Sequence, residues 1–105
     1  MAIVRAIKID YNGAYYQNIR ISNKLKEAYD ILKKMEEDGK IYDVRMNFDK
    51  TISLRTGQNV SNGYIANPLQ KHLEKMGLVV ERDDTFNWFY VKEENDVDKY
   101  FKDVI

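Results

Sequence analysis

Apolar residues recur at every second position near the start of the chain, which is typical of a β-hairpin with one buried face. The alternating positions are Ile3, Ile7, Ile9, Tyr15, Ile19 and Ile21. Both runs lie on the same face only if an odd number of residues joins them. We therefore predict a three-residue loop over residues 11–13, with Gly13 in a bulge and Ile9 opposite Tyr15.

The pattern then changes to a spacing of three and four residues, which predicts a helix capped by Ser22 and ending before Gly39. Its apolar stripe is Leu25, Ala28, Tyr29, Leu32 and Met35. A second hairpin follows, and periodicity again favours an odd loop, over residues 48–50. Its core-facing positions are predicted to be Tyr42, Val44, Met46, Ile52 and Leu54.

Asn67 and Pro68 are typical of the cap and first position of a helix, and Gly77 of its stop. The predicted stripe of this second helix is Leu69, His72, Leu73 and Met76. His72 is the only histidine, and we expect a boundary or core residue rather than a metal ligand or a general base.

A third hairpin is predicted from residues 78–82 and 85–91, joined through Asp83 and Asp84. A third helix would start behind Asn95 or Asp96, with the stripe Val97, Tyr100, Phe101 and Val104. Four nearby acids lack the spacing of a calcium loop and are interpreted as the start of that helix. They are Glu93, Glu94, Asp96 and Asp98.

These elements predict a single α+β domain over residues 1–105, built from three strand-turn-strand-helix (ββα) units. The units span residues 1–39, 40–77 and 78–105, and together give a mostly antiparallel sheet of about six strands with three short helices packed on it. The units could descend from a repeat, or the motif could have arisen three times because it is a common supersecondary unit.

Composition narrows the classes of protein that the chain can belong to. Its 105 residues include no cysteine, and 17 basic residues balance 17 acidic ones. Disulfides and thiolate zinc sites are therefore excluded, and we expect a cytoplasmic protein without a membrane span or signal peptide. No metal, cofactor or catalytic motif is recognised, so we expect a protein that is not an enzyme. The abundance of Lys, Asn, Ile and Tyr is typical of AT-rich genomes and their phages.

One strand is apolar on both faces. Phe86, Trp88 and Tyr90 alternate with Phe89 and Val91. A central strand covered on both sides would explain this pattern. Alternatively, the aromatic residues form an interface for a protein partner or a second copy, or a stacking platform for bases. The candidate interface residues are Phe86, Trp88, Phe89 and Tyr90.

A second candidate site is the loop before the predicted second helix. Free amides at a helix start favour a phosphate or another anion such as a nucleotide. We expect such an anion at the amides of residues 67–69. The candidate anion-binding residues are Arg55, Ser61, Asn62, Asn67 and Lys71.

Residues 61–91, SNGYIANPLQKHLEKMGLVVERDDTFNWFYV, resemble the recognition helix and wing of winged-helix DNA-binding proteins. In those proteins a helix ending in Leu-x-x-x-Gly-Leu runs into a β-hairpin. The resemblance implies that Gln70 and Lys71 lie at the DNA groove and Lys75 near phosphates.

The function we expect is that of a small non-enzymatic binding or inhibitor protein, an accessory factor of a phage or mobile element. It would act on a protein or a small ligand, for example to counter a host defence system. The alternative is a winged-helix-like DNA-binding protein or transcriptional regulator that uses residues 61–91.

Overall fold

The computed structural model describes residues 1–57, 62–83 and 87–94, with residues 62 and 63 described by their backbone only. The element order is β1 (Ala2–Asp10), β2 (Gly13–Ile21), α1 (Asn23–Glu37), β3 (Tyr42–Met46), β4 (Ile52–Arg55), α2 (Asn62–Lys75), β5 (Leu78–Asp83) and β6 (Trp88–Glu93). The predicted α+β class and the antiparallel strands are confirmed. The predicted third helix lies outside the described residues, so the scheme of three ββα units stays a prediction.

The strands form two sheets rather than the single sheet that we predicted. β1 and β2 make a two-stranded ribbon, and the other four strands are ordered β3-β4-β6-β5. β1 packs against β3 without joining its sheet. Every pair of neighbouring strands is antiparallel. β6 therefore has a hydrogen-bonded neighbour on both sides, which places it at the centre of the larger sheet.

The predicted register of the first hairpin is wrong by one residue. Ile9 pairs with Ala14 and Asp10 with Gly13, so the loop has two residues. The Asn12 backbone N–H donates to the Asp10 carboxylate at 2.8 Å, which is an Asx turn. Gly13 has φ +130° and is paired rather than bulged.

This shift puts the other face of β1 against the core, whereas β2 keeps its predicted face, with Ile21 buried and Ile19 packed against the core. Val4 and Ala6 are buried, whereas Ile3 is 63 % and Ile9 53 % exposed. For β1, the alternation of large apolar residues predicted the opposite face. Small residues occupy the buried face of β1 because α1 packs there, and Ala6 and Ala28 of the same core cluster are both fully buried.

The predicted register of the second hairpin is confirmed beside its turn. Met46 pairs with Ile52, and the Asn47 amide donates to the Thr51 carbonyl at 2.8 Å. The predicted core positions are buried except for Tyr42, which is exposed. A β-bulge between Tyr42 and Arg45, with Asp43 at φ +56°, turns Tyr42 to the other face.

α1 confirms its prediction at both ends and along its stripe. Ser22 is the N-cap and accepts from the Leu25 amide at 3.1 Å. Its hydroxyl also donates to the Glu93 carboxylate at the end of β6. Glu93 was predicted to start a helix; it belongs instead to β6 and binds the cap of α1. Asp96 and Asp98 lie outside the described residues.

The predicted start of the second helix is wrong, because α2 begins at Asn62 and contains Pro68 in its interior. Proline lacks the amide that would bond the carbonyl of Tyr64. Tyr64 and Pro68 are both exposed, so the carbonyl without a helical partner lies on the solvent side. Burial of Ala66 stabilises the helical turn that precedes Pro68. His72 is exposed, contrary to its predicted place at the boundary or in the core.

One carboxylate connects α1 to the bulged strand. Glu36 accepts from the Val44 amide at 2.7 Å and from the Lys33 ammonium at 2.8 Å. Burial alone would raise the pKa of Glu36, but these two hydrogen bonds and the Lys33 charge outweigh burial and hold that pKa below its usual value. The same contact raises the pKa of Lys33.

A carboxyl whose pKa is lower in the folded than in the unfolded chain stabilises the fold above its unfolded pKa, about 4.3, and loses that effect as pH falls through its folded pKa. We therefore expect Glu36→Gln to be less stable than the wild type at pH 7, and the difference to narrow below about pH 4. Urea unfolding followed by circular dichroism at several pH values measures it. Glu37→Gln, the same change on an exposed neighbour, is the control. The prediction would be contradicted if Glu37→Gln lowered the free energy of unfolding by the same amount and with the same pH dependence as Glu36→Gln.

Candidate functional site

β6 separates its side chains into a buried face and an outer face. Phe89 is 1 % exposed and Val91 fully buried, whereas Trp88 is half-buried and Tyr90 is 39 % exposed on the opposite side. Phe89 is therefore a core residue and not the interface residue we expected. Phe86 lies outside the described residues.

The outer residues of β6 form a continuous patch with their neighbours on β4 and β3. The rings of Trp88 and Tyr90 stack with centroids 6.4 Å apart and an interplanar angle of 17°. Arg55 is the register partner of Trp88, and its guanidinium carbon lies 6.0 Å from the Trp88 ring centroid. We call Asp43, Arg55, Trp88 and Tyr90 the Trp88 surface.

The bulge in β3 positions the charged part of this surface. Asp43 adopts the left-handed conformation, which aspartate tolerates better than most residues. Its carboxylate lies 3.1 Å from the Arg55 guanidinium. Both side chains are more than a third exposed, so the ion pair contributes little to stability. Its effect is to orient Arg55 beside the aromatic rings.

The charges around the two rings are largely balanced. Lys92, which follows Tyr90 on the same face, forms an ion pair with Glu81 at 3.0 Å. Glu81 is the register partner of Tyr90 on β5, as Asp83 is of Trp88. Among the described residues, acidic and basic groups are therefore interspersed across this face, without a dense positive field.

The residues predicted for the anion site do not gather around free amides. Residues 67–69 lie beyond the first turn of α2, where the helix uses its own amides, and Pro68 has none. The Asn67 side chain accepts from Arg82 at 2.8 Å, Arg55 pairs with Asp43, and Lys71 is exposed.

Ser61 lies outside the described residues, and Asn62, the first residue of α2, is described by its backbone only. Anion binding by this loop stays a prediction, without the amides on which it was placed.

Two further findings concern chemistry that the sequence left open. In the described ranges, no three His, Cys, Asp or Glu side chains come close enough together to hold a metal ion. Neither helix in this part of the chain combines the length and the hydrophobicity that a membrane span requires.

The chain matches no protein-family model, no curated protein and no solved structure.

An apolar surface on the ribbon was missed by the sequence analysis. Ile3, Ile9 and Tyr16 are all more than half exposed on its outer face. The guanidinium of Arg5 lies 4.2 Å from the centroid of the Tyr16 ring, a close cation–π contact. The signal that could have revealed this face is Asp10, whose side chain favours a tight Asx turn and hence the shorter loop.

Substitution by alanine should lower the free energy of unfolding by different amounts on the two faces of β6. We expect Phe89→Ala to lower the free energy of unfolding by about 3 to 5 kcal/mol, because it leaves a cavity in the core. Trp88→Ala should cost only about 1 to 2 kcal/mol, since its half-buried ring loses less contact. Urea unfolding measures both losses. Circular dichroism is the signal to follow, because Trp88 is the only tryptophan and Trp88→Ala would remove the tryptophan fluorescence. A larger loss for Trp88→Ala than for Phe89→Ala would show that the tryptophan is a core residue.

Proposed function

We propose that this chain is a binding protein that contacts another protein through the Trp88 surface. The observation that carries the proposal is the grouping of Trp88, Tyr90 and Arg55 on one face of a strand whose other face is anchored in the core. Tryptophan, tyrosine and arginine are the residue types most enriched among the energetically dominant residues of protein interfaces.

The rigidity of β6 adds to this proposal. Arg55 and Asp83 are the register partners of Trp88 on the two neighbouring strands, so the backbone beneath the aromatic rings is hydrogen-bonded on both sides. A partner would not have to order a flexible loop to engage the rings, which reduces the entropic cost of binding.

Charge favours a protein over a nucleic acid as the partner. A protein that holds phosphates needs basic groups in excess. In the part of the chain that the structure describes, the ion pairs Arg55–Asp43 and Lys92–Glu81 leave no such excess beside the rings. Alternating charges around an aromatic centre match the polar rim of a protein interface.

Two parts of the proposal rest on the sequence. The protein is non-enzymatic, because no catalytic, metal or nucleotide motif is recognised in it. It serves a phage or mobile element, for example as an inhibitor of a host defence enzyme, because its composition is typical of AT-rich phage genomes. Sustained turnover of any substrate in an unbiased screen would contradict the first part.

The test is partner binding by matched variants in an extract of the cell that carries the gene. Trp88→Ala and Arg55→Ala should lose a partner that the wild type retains, and with the purified partner Trp88→Ala should raise the Kd by about 30-fold or more, or roughly 2 kcal/mol. Tyr64→Ala removes an aromatic ring that is 84 % exposed on α2 and should bind like the wild type. Equal binding by folded wild type and Trp88→Ala would refute the proposal.

A second candidate function is DNA binding by residues 61–91. It is favoured by one observation, the direct passage of α2 into the β5–β6 hairpin, with only residues 76 and 77 between helix and strand. This is the arrangement that the resemblance to winged-helix proteins implies.

The contacts of α2 disfavour that role. Gln70, the expected base-reading residue, donates to Glu74 at 2.7 Å and accepts from Arg82 at 3.2 Å, so its amide is engaged within the protein. Residues 52–55, where a helix-turn-helix would need its first helix, form strand β4. We therefore rank DNA binding second.

We predict that micromolar protein does not shift random duplex DNA in a gel at physiological salt. The exposed Lys71 is the residue whose charge would matter most, because a phosphate contact makes binding fall steeply with salt. Duplex binding that Lys71→Glu abolishes, and that Lys40→Glu at an exposed site beyond the end of α1 leaves intact, would promote this second function over the first.

A further inference from the structure

The ribbon leaves one strand edge open. Among the described residues, β2 pairs only with β1, and residues 13–18 are all exposed. A strand edge presents unpaired amides and carbonyls and is a template for another strand. Proteins usually protect such edges with charges, prolines or bulges.

The other edges of the fold carry this protection. β3 has the bulge at Asp43 and the charge of Arg45, and β5 ends in three charged residues, Glu81, Arg82 and Asp83. β1 packs against β3. β2 is nine residues long, contains neither proline nor lysine, and carries a single charge, on Arg20.

The ribbon also lacks support on its faces. Residues 8–18 are exposed on both sides, so more than half of the hairpin extends beyond the core. An isolated two-stranded hairpin is marginally stable in water, whereas three or more strands support one another. Addition of a strand to the open edge would therefore stabilise the ribbon.

We infer that the occupant of this edge is β2 of a second copy of the chain, paired antiparallel about a two-fold axis at Gln17. The sequence of the edge suits this symmetry. With Gln17 opposite itself, Arg20 lies opposite Ala14 of the second copy, and Tyr15 opposite Ile19. No two like charges face each other, and an aromatic residue meets a β-branched one, which is a favourable cross-strand pair.

The backbone suits the same register. The Asp10–Gly13 pair closes a two-residue loop, so alternate residues of β2 point their amides at β1 and the others point them outward. Ala14, Tyr16, Asn18 and Arg20 are the outward ones. A two-fold axis at Gln17 places outward residues opposite each other, 14 with 20 and 16 with 18, as an antiparallel ladder requires.

This inference does not depend on the proposed function, because the β2 edge and the Trp88 surface lie on different sheets. Their tests are separate as well, since a dimer through β2 needs no other protein.

The experiment measures mass in solution with a pair of charge variants at the axis. Light scattering and sedimentation of the wild type from about 1 to 100 µM should show a dimer of about twice 12.5 kDa that dissociates on dilution. Gln17→Lys and Gln17→Glu each place like charges opposite each other and should weaken the dimer about tenfold or more. An equimolar mixture of the two variants should restore it as a heterodimer.

The controls distinguish this edge from any other contact. Gln17 is exposed, so at concentrations where the wild type is monomeric both variants should melt like it, which circular dichroism verifies. Tyr64→Lys adds the same charge on an exposed site of α2 and should leave the dimer intact. A monomer at every concentration, a dimer that neither Gln17 variant weakens, or a mixture that fails to reassociate would overturn the inference.

Discussion

The pairing of β6 on both sides is the constraint from which the rest of the larger sheet follows. Phe89 lies between Leu54 and Arg82, and Val91 between Ile52 and Val80, so the strand cannot slip without breaking two ladders at once. Burial of Phe89 and Val91 then determines, by the two-residue period of a strand, that Trp88 and Tyr90 face away from the core. The candidate surface is thus a direct consequence of core packing.

The end of the same strand also connects the larger sheet to α1. Glu93 accepts the hydroxyl proton of Ser22 while the Ser22 oxygen accepts the Leu25 amide, so one serine caps the helix and holds it against β6. An acid at a helix start is favoured by the helix dipole, which strengthens this junction. It lies where the ribbon passes into α1, so the ribbon and the four-stranded sheet are joined through a shared contact as well as through the core.

The sequence predicted the parts of the fold in which one pattern dominates. The cap and stripe of α1 are unambiguous, and in the second hairpin Met46 and Ile52 have no apolar competitors on the opposite face. The first hairpin is different, because Ile3 and Ile9 on one face compete with Val4 and Ala6 on the other, and hydrophobicity alone selects the larger residues. The space under α1 decides in favour of the smaller ones, and that space is a tertiary property.

The second helix was mispredicted because proline and asparagine have two structural meanings. Asn67 and Pro68 are typical of a helix start, yet Asn67 is held by Arg82 of β5 and Pro68 faces solvent within a longer helix. A contact between residues fifteen positions apart is not visible in a local pattern. For the interface candidates the local pattern is more informative, since alternation along residues 88–91 already assigns Trp88 and Tyr90 to one face and Phe89 and Val91 to the other. Periodicity does not reveal which of the two sets the helices cover.

The two proposed surfaces have a joint consequence for affinity. A dimer formed through β2 would carry two copies of the Trp88 surface, one on each four-stranded sheet. If a partner offers two equivalent sites within reach, the second contact becomes intramolecular, and the overall affinity can exceed that of one surface by about a hundredfold or more without any additional contact. A small and half-buried aromatic patch, weak as a single site, would then suffice for stable binding. The gain disappears if the geometry of the dimer prevents both surfaces from engaging. A variant with an intact Trp88 surface and a disrupted β2 edge should therefore bind an oligomeric partner more weakly than the wild type does, and a monomeric partner equally well.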